Sequence, residues 1–162
     1  LVNMADKSFT HLNEHGDARM VDVSAKEVTV RSATAHGQVL VSAEVVGMLR
    51  GAGVPKGDAL AVARIAGIQG AKRTSDLIPL CHPLAIHAVE VDLVVVDAGV
   101  DITVTVRTAD RTGVEMEALT GVAVAALALI DMVKGVDRRA AIAGIELLEK
   151  LGGRSGHWVR GQ

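Results

Sequence analysis

Two neighbouring segments of this chain alternate apolar and polar residues with a period of two. Across residues 86–97, Val89, Val91, Leu93 and Val95 stand against Glu90 and Asp92; across residues 101–109, Ile102, Val104 and Val106 stand against Thr103, Thr105 and Arg107. Successive side chains of a strand point to opposite faces, so each segment carries one apolar face. With a turn at Asp97, Ala98 and Gly99 the pair reads as a β-hairpin. Its apolar face requires a helical layer to cover it.

The covering elements are visible on either side. Thr112, followed three residues later by Glu115, is a capping-box pattern, and the apolar run over residues 118–133 predicts a long helix that stops at Gly135. Upstream, β-branched residues and rough alternation predict a strand from near Thr29. Ser42 then caps a short helix ending at Gly51, and Pro55, Lys56 and Gly57 form a turn. Asp58 is a good N-cap for a helix with Leu60, Val62, Ala63, Ile65 and Ala66 at its apolar positions, weakened at its far end by Gly67 and Gly70. Residues 140–150 fit neither period cleanly. A strand there gives the order β, α, α, β, β, α, β, which is the ferredoxin-like (βαββαβ) α+β arrangement, an antiparallel sheet with helices on one face. A helix there would leave only three strands.

Length and composition set the limits. The 162 residues, 49% of them hydrophobic, suffice for one domain spanning 1–162, with residues 1–20 and 154–162 read as flexible tails. With one Phe, one Trp and no Tyr, the core is built from small aliphatic side chains. A net charge of −2 gives no global attraction to nucleic acid or acidic membranes, so anion binding must come from local clusters. One cysteine excludes an internal disulfide, and no apolar run reaches the about 18 residues that span a bilayer. The expectation is a cytoplasmic protein without membrane or nucleic-acid partners.

Residues able to do chemistry cluster near predicted loops. Lys56, Arg64, Lys72, Arg73, Lys134, Arg138, Arg139, Lys150 and Arg154 offer phosphate-binding charge, although a solvated helix face explains any one of them equally well. GIQGAKRT, residues 67–74, lacks the spacing of a nucleotide-hydrolase phosphate loop. His82 follows Leu80 and Cys81 in a segment that Pro79 and Pro83 keep from being helical, and a loop histidine can act as acid or base near neutral pH. Cys81 has the apolar flank of a buried small residue rather than of a nucleophile. His11 and His15 are spaced like metal ligands but lie in the polar tail with no supporting pattern, so no metal site is predicted.

Capping accounts for Glu115 but not for Glu117. Asp131 and Lys134 share a helix face, as a simple ion pair or as a coupled acid and base. At about 1.5 Å per residue, Glu117 and Asp131 stand roughly 21 Å apart on one straight helix. If both ends serve one small-molecule site, a neighbouring subunit must complete it, which predicts an oligomer with its site at an interface.

MVDVSAK (20–26), KGDALAVARIAGIQGAKRTSDLIPLCHPL (56–84), TGVEMEALTGVAVAAL (112–127), DMVK (131–134) and GGRSG (152–156) together resemble the molybdenum cofactor biosynthesis protein C (MoaC) family, the cyclic pyranopterin monophosphate synthases. The resemblance covers nearly the whole chain. It implies a ferredoxin-like subunit, a hexamer built as a trimer of dimers, and active sites at dimer interfaces. It further implies conversion of 3′,8-cyclo-7,8-dihydroguanosine 5′-triphosphate to cyclic pyranopterin monophosphate with release of pyrophosphate. Carried over by motif, Asp131 is the catalytic aspartate and Lys134 its partner. Lys56 serves the triphosphate and Lys150 proton transfer. Leu80, Cys81 and His82 contact substrate, as do Met116 and Glu117; Glu115 and Arg31 belong to the same pocket, and Lys72 and Arg73 add charge. Acid and base groups suit ring opening, and cations suit a pyrophosphate leaving group. No redox cofactor is needed, and magnesium enters only with the triphosphate.

Two positions depart from the family pattern: Ser75 replaces a bulky aromatic, and LGGRSG carries Arg154 where a serine and lysine are usual. They leave room for an impaired paralogue that binds ligand or serves assembly, since fold does not fix function. An RNA-binding sheet would present stacking aromatics, and this hairpin has none.

Overall fold

The computed structural model describes residues 10–52, 54 and 58–162. The turn expected at Pro55, Lys56 and Gly57 lies outside the described residues. The chain runs β1 (Thr29–Leu40), α1 (Ala43–Gly47), a π-helical turn (Met48–Ala52), α2 (Ala59–Lys72), α3 (Thr74–Leu77), β2 (Ile86–Val96), β3 (Gly99–Asp110), α4 (Glu115–Val133), β4 (Ala141–Leu151) and β5 (Trp158–Val159). The strands form one sheet in the order β2-β3-β1-β4-β5, with every neighbouring pair antiparallel. The first four positions of that order are the ferredoxin-like arrangement. Both predicted helix caps upstream are present: Ser42 Oγ accepts from the Val45 amide at 3.3 Å, and Asp58 Oδ1 from the Ala61 amide at 3.0 Å.

The core lies between the sheet and its helical layer. Ala33, Ala35 and Val39 of β1 and Val100, Ile102, Val104 and Val106 of β3 are fully buried beneath Val122, Ala125, Ala126 and Leu129 of α4. α4 lies across β1, β3 and β4, while α2 packs beside it and reaches β2. By length and composition α4 would also suffice to cross a membrane. Its place, packed on the sheet and beside α2 with half of its apolar stretch buried, is that of a core helix.

Four details differ from the sequence reading. Gly67 and Gly70 do not weaken α2; the helix continues through both to Lys72 because they are its contact with α4. A Cβ on Gly67 would stand 3.1 Å from Ala125 Cβ, and one on Gly70 2.7 Å from Val124 Cβ. The buried face of α2 is therefore Ala59, Ala63, Gly67, Gly70 and Ala71, and the branched Val62 and Ile65 are turned outward, 42% and 59% exposed. The capping box is absent: Val114 occupies the N-cap position without a side-chain hydrogen bond, and Thr112 lies two residues too early. The short helix after Ser42 ends at Gly47 and continues as the π-helical turn. The segment 154–162, read as a tail, contains β5, which pairs with Glu149 and Lys150 of β4.

The tight α2–α4 contact sets a stability expectation. Gly70→Ala should destabilise by about 1–3 kcal/mol through overpacking against Val124, despite alanine's better helix propensity. Ile65→Ala should stay within about 0.5 kcal/mol. Urea midpoints of the two variants measure the contrast.

Candidate active site

The sheet has two ends, and the predicted site residues divide between them. β1 begins, and β3 and β4 finish, at one end: Thr29 pairs with Asp110, and Ser32 with Leu151. β2 also begins there, with Ile86 opposite Thr108. The loop before β2 and the first turn of α4 consequently meet at this end.

Between them lies a cavity of about 230 Å³. The loop supplies Leu80, Cys81, His82 and Leu84; the turn and α4 supply Thr112, Gly113, Glu115, Met116 and Glu117. A third wall comes from the N-terminal segment, through Thr10, His11, Val21, Val23 and Lys26. Leu80, Cys81, His82, Glu115, Met116 and Glu117, which the resemblance groups as site residues, are thus brought together around one cavity.

Glu117 is the unusual group of this cavity. It is 4% exposed, and burial pushes its carboxyl up to about 7 against a partial offset from its own backbone amide, with the nearby Glu115 charge adding to the rise. A carboxylic acid that titrates near neutrality can both give and take a proton. Burial also raises the Cys81 thiol, and the charge of Glu117 adds to it, which disfavours a thiolate there. His82 Nε2 lies 2.5 Å from the Val21 carbonyl oxygen. Asp22, next in the chain, is held below the usual carboxylate range by hydrogen bonds from Ser24, with a smaller contribution from His82.

Arg31 and Lys150 sit at the same end of the sheet but do not line the cavity. Arg31 Nε donates to the Asp110 carbonyl at 3.1 Å. Lys150 Nζ donates to the Gly152 carbonyl at 3.4 Å and to Ser155 Oγ. Gly153, at φ +75°, runs so close to the Arg31 guanidinium that any Cβ would collide with it. The GGRSG segment therefore folds back over these two cations. Lys72 and Arg73 are exposed at the end of α2 and lie outside the cavity. Neither Ser75, in α3, nor Arg154, in the turn after β4, lines it.

Asp131 and Lys134 lie at the opposite end of α4, where they form an exposed ion pair of 2.7 Å. Lys134 borders a second, open recess with Ile130, Gly135 and Arg138. Lys56 lies outside the described residues. The sequence reading missed Val21, Lys26 and His11 as parts of the cavity wall, having treated residues 1–20 as a tail and His11 as solvated. No periodicity marks that segment, and the available signal was the MVDVSAK match.

The molecule is thus an α+β, ferredoxin-like domain with a cavity walled by a buried carboxyl and a histidine at one end of its sheet and a carboxylate–lysine pair at the other. The chain belongs to the MoaC family, whose model matches residues 20–153. It is 65% identical over 152 residues to the cyclic pyranopterin monophosphate synthase of Streptomyces coelicolor, covering 94% of this chain and 89% of that one. The protein of the same name from Nocardioides sp. is 62% identical over 157 residues, covering 95% and 96%. Cyclic pyranopterin monophosphate synthase 2 of Mycobacterium tuberculosis H37Rv is 57% identical over 152 residues, covering 94% and 91%.

The raised Glu117 carboxyl has a consequence for stability. Its folded pKa of about 7 exceeds the ordinary 4.5, so the folded state holds this proton more tightly than the unfolded chain. The contribution is fully present below the unfolded value and is lost as pH rises through the folded one, a change of the order of 3 kcal/mol. Glu117→Gln removes this titration. The melting temperature of the variant relative to the parent should rise between roughly pH 5 and pH 8, and a constant difference would contradict the assignment.

Proposed function

We infer that this chain is a cyclic pyranopterin monophosphate synthase, a lyase of molybdenum cofactor biosynthesis. Membership of the MoaC family supports this, and the observation that carries the chemical reading is the cavity that joins buried Glu117 to His82. The proposed substrate is 3′,8-cyclo-7,8-dihydroguanosine 5′-triphosphate, converted to cyclic pyranopterin monophosphate and pyrophosphate.

Ring opening requires protons to move on and off purine nitrogens, a task for Glu117, His82, Asp131 and Lys150. Cyclic phosphate formation expels pyrophosphate, whose growing negative charge Lys56, Lys134 and Arg31 neutralise. No step is redox, and any magnesium ion enters bound to the triphosphate as part of the substrate. A 2.7 Å ion pair with Lys134 holds the Asp131 carboxylate beside the cation it serves. We place the enzyme in the cytoplasm, a reading supported by its single cysteine and the absence of a disulfide framework.

The separation of the two groups along α4 supports an oligomer. We read the Asp131 end of one subunit as completing the His82–Glu117 cavity of another, within a hexamer made of three such dimers.

Two experiments test this. Incubating the protein with the cyclised nucleotide should yield cyclic pyranopterin monophosphate and pyrophosphate, and Asp131→Asn and Lys56→Ala should each lower kcat by about 10²-fold or more. Binding without product in the parent would favour a ligand-binding paralogue. Co-expressing equal amounts of His82→Ala and Asp131→Asn subunits should restore about a quarter of parental activity, because half the dimers are mixed and each of those holds one intact site. No recovery would place both residues in a single-subunit site.

A further inference from the structure

Residues 10–26 form a strap over the cavity with little of its own attachment. Its main-chain hydrogen bonds, such as Asn13 to Asp17 and Arg19 to His11, stay within the segment. Among the described residues, two side-chain bonds hold it to the body. His82 Nε2 meets the Val21 carbonyl at 2.5 Å, and Arg111 Nε donates to the Lys26 carbonyl at 3.0 Å.

The first of these bonds constrains the histidine. A carbonyl oxygen only accepts, so Nε2 must carry the hydrogen. His82 Nδ1 has no hydrogen-bond partner among the described residues. Asp22 lies near enough to His82 for opposite charges to attract, which strengthens the latch whenever the ring is protonated.

Resting on the reading of His82 as a site residue, we propose that the Val21 carbonyl is a positioning group for it. The carbonyl holds Nε2 as a donor in both charge states, so every proton His82 exchanges with substrate moves at Nδ1. The neutral ring takes a proton from a substrate N–H or O–H onto Nδ1, becomes an imidazolium with both nitrogens protonated, and returns that proton from the same atom. Nε2–H stays latched throughout. Arg111 keeps the carbonyl in place by anchoring the strap at Lys26, which itself borders the cavity.

Nitrogen-15 NMR of the labelled protein, without substrate and with the ring neutral, reads the tautomer directly. The expected spectrum has the His82 hydrogen on Nε2, exchanging slowly with solvent and coupled across the hydrogen bond to the Val21 carbonyl carbon. Arg111→Ala should speed that exchange roughly tenfold, the ratio for loss of one ordinary hydrogen bond. It should also lower kcat while KM changes by less than about twofold. A hydrogen on Nδ1, or exchange unchanged in Arg111→Ala, would overturn the proposal. So would faster exchange with an unchanged kcat, which would make the strap a cover only. The spectroscopic part uses no substrate, so it succeeds or fails independently of the proposed synthase activity.

Discussion

The close approach of α4 to its neighbours on both sides is the constraint on which the rest of the subunit depends. On the sheet side, a Cβ on Gly121 would stand 2.9 Å from Val104 Cγ1; on the α2 side, Gly67 leaves room for Ala125 and for the Gly121 carbonyl. With one Phe and one Trp in the chain, no large ring is at hand to fill a wider gap. Small residues close the distance instead, and the core reaches native density by bringing backbones together. This fixes the axis of α4, and with it the positions of the carboxylates at its two ends.

The helix therefore acts as a strut with carboxylates at both ends. At its start, Glu117 is pressed into the wall of a cavity and loses the solvation that would keep it ionised. At its finish, Asp131 stays exposed and is paired to Lys134. One helix thus presents an acid that titrates near neutrality and a carboxylate paired to a cation. A buried acid together with an ion-paired carboxylate suits proton transfer coupled to departure of an anion. The span between them is why the proposed site needs two subunits.

Much of this was legible in the chain. The hairpin, the strand from Thr29, the caps at Ser42 and Asp58 and the long helix follow from periodicity and capping chemistry, and the topological argument for residues 140–150 identified β4. The face of α2 was not legible, because hydrophobicity marks Val62 and Ile65 as inward whereas close packing selects Ala63, Gly67 and Gly70. β5 was hidden because two residues carry no period, and their strand is set by pairing with β4. In the site, the motifs located the Leu80, Cys81 and His82 wall and the first turn of α4. The third wall was missed, since residues 10–26 take their place from side chains far along the chain, His82 and Arg111. Nor does sequence show burial, the cause of the raised Glu117 carboxyl.

In the proposed dimer, opposite ends of α4 from two copies meet in one site. Cys81, the only cysteine, lines the cavity, so Lys134→Cys adds a single second thiol at the far end of the helix. A bifunctional thiol reagent shorter than about 20 Å, well under the roughly 25 Å rise from the Glu117 turn to Lys134, cannot join the two within a subunit. The account predicts covalent dimers whose crosslinked peptide joins Cys81 of one copy to the introduced cysteine of another. Monomers alone, or dimers joined only between identical positions, would contradict it.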